Sequence, residues 1–160
     1  MDSKVKLYLE RGENKLLLAK INFDISTNQK FKRMLGVPSE KTFYNDIISE
    51  AYYAIFYSAK AFLCSRNIET SMPEEHKKTY DEFKILVDSG VVDTKLWKIY
   101  QEEATKAETL LKIFFDEKRK RGIFTYQVQS EANIPYAQES INNAKTFLSM
   151  IKVMLNHILL

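Results

Sequence analysis

Chemistry in this chain has few places to reside. Its 160 residues contain two histidines, His76 and His157, and a single cysteine, Cys64. A metal site needs such ligands clustered at helical or turn spacing. Here the histidines fall in different segments and the cysteine is alone, so neither a metal nor a cofactor is expected. No glycine-rich phosphate loop and no nucleophile elbow occurs. His76 is read as a surface residue of a helix, and Cys64 as a small apolar residue near a helix end.

Two other groupings carry chemistry. Tyr44, Tyr52, Tyr53 and Tyr57 crowd one segment. At that spacing they read first as packing residues on buried helix faces. The sharper reading is that some of their hydroxyls, Tyr53 and Tyr57 among them, line a groove. Lys118-Arg119-Lys120-Arg121 is the one local charge block. The plainer reading is a solvated helix C-terminus, where cations complement the dipole. The alternative is a phosphate-binding patch for RNA or a nucleotide.

The elements that must position these groups read as about five helices. Val5, Leu9, Leu16, Ala19 and Phe23 share one side of a first helix from about Lys4 to Phe23. Gly12 weakens it by roughly 1 kcal/mol relative to alanine. Asn28 to Lys41 is polar, carries Gly36-Val37-Pro38 and reads as a loop. The second helix, about Thr42 to Arg66, has Tyr44, Ile47, Ile48, Ala51, Ile55, Ser58, Ala59 and Phe62 at three- and four-residue steps. Its alanines admit close neighbours, so it is expected to be central. Ser71-Met-Pro-Glu74 has the form of a capping box, opening a third helix that Ser89-Gly90 stops. Asp93 caps a fourth, Thr94 to about Lys120, ended by Gly122. Asn133 and Pro135 open a fifth, with Ile141, Ala144, Leu148, Ile151, Leu155 and Ile158 on its apolar face. Gly122 to Ala132 contains β-formers but is too short to make a sheet alone.

The result is a single all-α domain over 1–160, an up-and-down helical bundle. Its core should include Ile48, Ala51, Ile55, Ala59, Phe62, Leu148 and Ile151. Composition agrees: 45% of residues are apolar and 28% charged, with four glycines and three prolines, so chain reversals are few. The net charge of +3 is too mild to define a nucleic-acid binder by itself. A lone cysteine, no apolar signal core and no uncharged run of about 20 residues point to a reducing, cytoplasmic setting without a membrane.

The string Ser49-Glu-Ala-Tyr-Tyr-Ala-Ile-Phe-Tyr-Ser-Ala-Lys-Ala-Phe-Leu63 resembles the central helix of the HEPN family (higher eukaryotes and prokaryotes nucleotide-binding), in its small prokaryotic form. His76-Lys77 is similar to the Thr-His-Lys segment that follows there. Val87-Asp-Ser-Gly-Val-Val-Asp93 is similar to the turn into its fourth helix. The resemblance covers nearly the whole chain. The family's signature is an Arg followed four to six residues later by His, with Tyr two further on. Here Arg121 matches, Tyr126 stands in the histidine's place and Val128 in the trailing tyrosine's, as in a branch with Arg, four residues, Tyr. The central helix departs too, with Tyr57 where His is frequent and Glu50 where Arg is frequent.

This resemblance implies a helical fold, a symmetric homodimer and an anion-friendly groove containing Arg121, with Lys118, Arg119, Tyr126, Tyr53 and Tyr57 as further ligand candidates. Some HEPN proteins cleave RNA without a metal, through the ribose 2′-hydroxyl. That reaction needs a base and an acid near neutral pH. Histidine titrates there, whereas tyrosine, at a pKa near 10, would need a shift of about three units. Arginine can stabilise a phosphorane but cannot shuttle protons. The expectation is therefore a dimeric module that binds a nucleotide or RNA phosphate and partners a nucleotidyltransferase in a toxin–antitoxin-like system. The alternatives are a metal-independent ribonuclease toxin using Arg121 with Tyr126, and a structural adaptor without ligand. The apolar girth of the second helix and the run Leu110, Leu111, Ile113, Phe114, Phe115 also ask for a second surface, hence a homodimer.

Overall fold

The computed structural model describes residues 2–120 and 134–158, with side chains over 2–109 and 134–157. Among these residues there are six α-helices and no strand: α1 Ser3–Thr27, α2 Gln29–Leu35, α3 Tyr44–Ser65, α4 Glu75–Asp88, α5 Thr94–Lys120 and α6 Ile134–Ile158. The expected all-α bundle is what the chain forms.

Helix α3 is the axis of the packing, touching α1, α4, α5 and α6. Small residues explain how four neighbours reach it. Ala51, Ala54, Ala59, Ala61 and Ser58 are completely buried. Gly12 of α1 faces them so closely that a β-carbon there would lie 3.0 Å from Ser58 Oγ and 3.1 Å from the Ala54 carbonyl oxygen. The glycine that weakens α1 locally is therefore what lets α1 and α3 meet. Ile48, Ala51, Ile55, Ala59, Phe62, Leu148 and Ile151 are all core residues, as expected. Phe62, Phe83, Tyr100 and Phe147 add an aromatic cluster joining α3, α4, α5 and α6, with Phe83 5.6 Å from Tyr100 and 5.5 Å from Phe147. Most of α3's apolar girth is enclosed by the chain itself; Tyr52 and Tyr57 stay half-buried and Tyr53 exposed. The run Leu110 to Phe115 lies outside the described side chains.

Two local expectations are corrected. The segment read as a loop from Asn28 to Lys41 contains α2. Asn28 caps it by accepting from the Lys30 and Phe31 amides, and Gly36 closes it in the left-handed conformation at φ 67°. Lys32 is its one buried side chain, its ammonium donating to the Ser39 carbonyl at 2.7 Å. Phe31, Met34 and Leu35 are exposed, so no apolar period announces the helix.

The Ser71–Glu74 capping box does not form. Helix α4 begins at Glu75, behind a Glu74 with φ 60° that makes no side-chain cap. Lys60 of α3, itself buried, anchors this first turn instead, pairing with Glu75 and donating to the Thr70 carbonyl at 3.0 Å. Thr70 and Thr79 hydroxyls share a hydrogen bond of 2.7 Å beneath it.

The turn between α4 and α5 agrees with expectation. Asp93 Oδ1 accepts from the Lys95 amide at 2.7 Å, and Gly90 turns at φ 75° after α4. Helix α1 extends beyond the expected Phe23 to Thr27, where its last turn still buries Ser26. Between α5 and α6, fully buried Glu103 accepts from Lys106 and from Asn143, each at 2.9 Å. Burial opposes the Lys106 charge, but its bonds to Glu139 and Glu103 outweigh that and hold its pKa above the usual lysine value. Gly122, Asn133 and the Gly122–Ala132 segment lie outside the described residues.

Candidate ligand groove

A groove of about 460 Å³ opens where α3, α4 and α5 meet. Its aromatic walls are Tyr52 and Tyr53 of α3 with His76 and Tyr80 of α4; Lys77 adds an exposed cation at the rim. The α5 side presents Gln101, Ala104, Thr105 and Glu108. These four occupy i, i+3, i+4 and i+7, one face of the helix, and the alanine leaves room between polar groups.

His76 is the most constrained of these groups. It is half-buried, not the surface residue expected from sequence. Its ring lies parallel to Phe56 at 3.9 Å, and Nδ1 shares a 2.9 Å hydrogen bond with the Tyr52 hydroxyl. Burial lowers its pKa below 6.5, partly opposed by the Glu75 carboxylate and reinforced by Lys60. The imidazole is therefore neutral at pH 7, one nitrogen a donor and the other an acceptor. Tyr52 is pushed up to about 12 by burial, so it keeps its proton and fixes the ring rather than shuttling protons.

Tyr53 stands at the groove edge, 36% exposed, with the His76 ring edge-on at 5.4 Å. Lys15 of α1 approaches the Tyr53 ring at 5.4 Å and is also paired with Glu50 at 2.8 Å. Tyr80 is wedged against Trp97 at 4.5 Å and Tyr100 at 5.3 Å, which holds its ring in place. A set of fixed aromatic faces and a neutral imidazole, with Lys77 and Glu108 as the lining charges, suits a planar, hydrogen-bonding ligand.

The sequence candidates divide accordingly. Tyr53 does line the groove. Tyr57 lies one turn further on, towards α1, stacked on Tyr8 at 6.4 Å beneath the Arg11 guanidinium at 5.7 Å. Tyr44 is buried core. Cys64 is half-buried at the end of α3, as expected. Lys118 and Arg119 belong to the last turns of α5, with side chains outside the described set; Arg121, Tyr126 and Val128 lie outside the described residues altogether. Sequence reasoning missed His76, Tyr80 and the α5 face. His76 and Tyr80 lie four apart on α4 and the α5 residues share one face, but only packing brings these faces and Tyr52 together.

These features define a class: an all-helical protein with an aromatic, cation-edged groove beside its central helix. No family model matches the chain, and no solved structure matches it. The chain is similar to a protein of Methanocaldococcus jannaschii named "Putative toxin MJ0605", at 28% identity over 157 residues. That similarity covers 98% of this chain and 92% of the relative, so it spans both molecules nearly end to end. Among the described residues no helix is long and apolar enough to cross a membrane.

Proposed function

We propose that this chain is the toxin-like member of a toxin–antitoxin-like pair, a dimeric HEPN-like module that binds a nucleotide or RNA phosphate. The observation that carries the reading is the end-to-end similarity to a protein named as a toxin. The HEPN resemblance of the α3 string and of the Arg121–Tyr126 spacing supports the same reading. In it, Arg121 grips a phosphate through its planar, permanently charged fork, assisted by Lys118 and Arg119. Tyr126 in the histidine's place leaves cleavage feeble. The partner in the pair is a nucleotidyltransferase-type protein, and the second copy of the chain docks through the Leu110–Phe115 run.

Single-stranded RNA binding and cleavage by purified protein, in the presence of chelator, tests this. Wild type should bind, Arg121→Ala should bind about tenfold more weakly, and both should cleave at background. Tyr126→His should gain cleavage if one proton-transfer group is all that is missing. Strong metal-independent cleavage by wild type, lost in Arg121→Ala and Tyr126→Phe, would instead make the chain a ribonuclease. No RNA or nucleotide binding would leave the structural adaptor.

A further inference from the structure

We infer that the groove between α3, α4 and α5 is a base-stacking subsite for single-stranded RNA, so that the ligand is a strand of several nucleotides and not a mononucleotide. This rests on the phosphate-binding reading above and adds to it a second place of contact.

A volume of about 460 Å³ is in the size range of small-ligand sites and accommodates a nucleobase with its ribose. Tyr53 and Tyr80 offer aromatic faces from two different helices. Base–aromatic stacking is tolerant of sequence because every base has a π-face. Both rings are held before any ligand arrives, Tyr80 by Trp97 and Tyr53 by His76 and Tyr52, so little side-chain freedom is lost on binding. The neutral His76 ring, fixed by Tyr52 and Phe56, and the Gln101 and Thr105 side chains give donors and acceptors for base edges.

Lys77 stands at the rim as the groove's one lining cation and Glu108 is its one lining carboxylate; outside the groove, Lys15, which is also paired with Glu50, lies over the Tyr53 ring, and Arg11 lies over the Tyr57 ring. Cations beside accessible aromatic rings are the pattern by which single-stranded nucleic acid is held.

Helix α5 carries the groove face through Glu108 and continues to Lys120. Ten residues separate Glu108 from Lys118, which is about 15 Å along the axis. One nucleotide cannot place its base in the groove and its phosphate on the basic run, whereas a short strand can do both.

Trp97, the only tryptophan, packs against Tyr80 and reports on the groove through that ring. Its fluorescence should be followed while the full-length protein is titrated with an adenosine hexaribonucleotide, an abasic ribose-phosphate hexamer and adenosine monophosphate. The adenosine hexamer should change Trp97 emission and bind about tenfold more tightly than the abasic hexamer and than the mononucleotide. Tyr53→Ala, at an exposed ring, and Lys77→Gln, at an exposed rim cation, should keep the helical circular dichroism. The first should bring the adenosine hexamer down to the affinity of the abasic one. Arg121→Ala should weaken both hexamers alike. Equal binding of the two hexamers with unchanged Trp97 emission overturns the subsite while leaving the phosphate reading intact, and the groove is then a face for protein. A mononucleotide that binds as tightly as the hexamer overturns the strand. Failure of either hexamer to bind wild type removes the phosphate reading and the subsite with it.

Discussion

His76 shows what a single side chain contributes here. Its pKa is depressed, first by burial, in surroundings that include Glu75, Lys60, the Tyr52 hydroxyl and the Phe56 ring. A group with a folded pKa below its unfolded value of about 6.5 binds its proton more readily unfolded. Its contribution to stability is therefore complete above pH 6.5 and is lost as pH falls through the folded value. Urea midpoints measured from pH 7.5 to pH 5 should fall more steeply for wild type than for His76→Gln; parallel curves would show that the ring is not buried as described. At this scale the sequence was informative about pattern and silent about pairing. The tyrosine stripe could be read because its members are neighbours on one helix. The Tyr52–His76 bond joins residues on different helices, and an isolated histidine in a helical segment looks the same whether it faces water or a groove.

Helices were legible in proportion to their length. The spans that became α3 and α6 show their apolar period over six or seven turns, and their expected core residues are the observed ones. Helix α2 has seven residues, too few for a period, and buries a lysine in place of an apolar side chain. The start of α4 was misplaced because Ser71-x-x-Glu74 satisfies the local rule while Lys60 of α3 supplies the actual anchor. Gly12 tests the account of how elements meet. Local propensity predicts that Gly12→Ala gains about 1 kcal/mol. Packing predicts a loss, because the new methyl meets the Ala54 carbonyl, which is helix backbone and does not move aside. The net expectation is a destabilisation of about 1–3 kcal/mol, the range for overpacking. Denaturant unfolding that shows Gly12→Ala equal to or more stable than wild type would contradict the close approach of α1 and α3.

For the molecule as a whole, charge and composition set the class without setting the role. A net charge of +3 fits a modest phosphate binder and says nothing of where a phosphate sits. The groove was only half legible, through Tyr53, because its walls are assembled by packing from three helices. The proposed homodimer belongs to this scale. Light scattering at micromolar concentration should give twice the 18.7 kDa of one chain, and a monomer would remove the dimer from the proposal. The account's central claim is that the chain holds RNA through phosphate, with Arg121 as a principal contact. Its most direct measurement is the affinity for a single-stranded RNA hexamer as a function of salt, for wild type and Arg121→Ala. Each neutralised phosphate of a single strand contributes a slope of about −0.7 in log affinity against log salt. Wild type should show clear salt-dependent binding, and Arg121→Ala should bind about tenfold more weakly with a slope shallower by about 0.7. Identical affinity and slope in the two proteins would contradict the account.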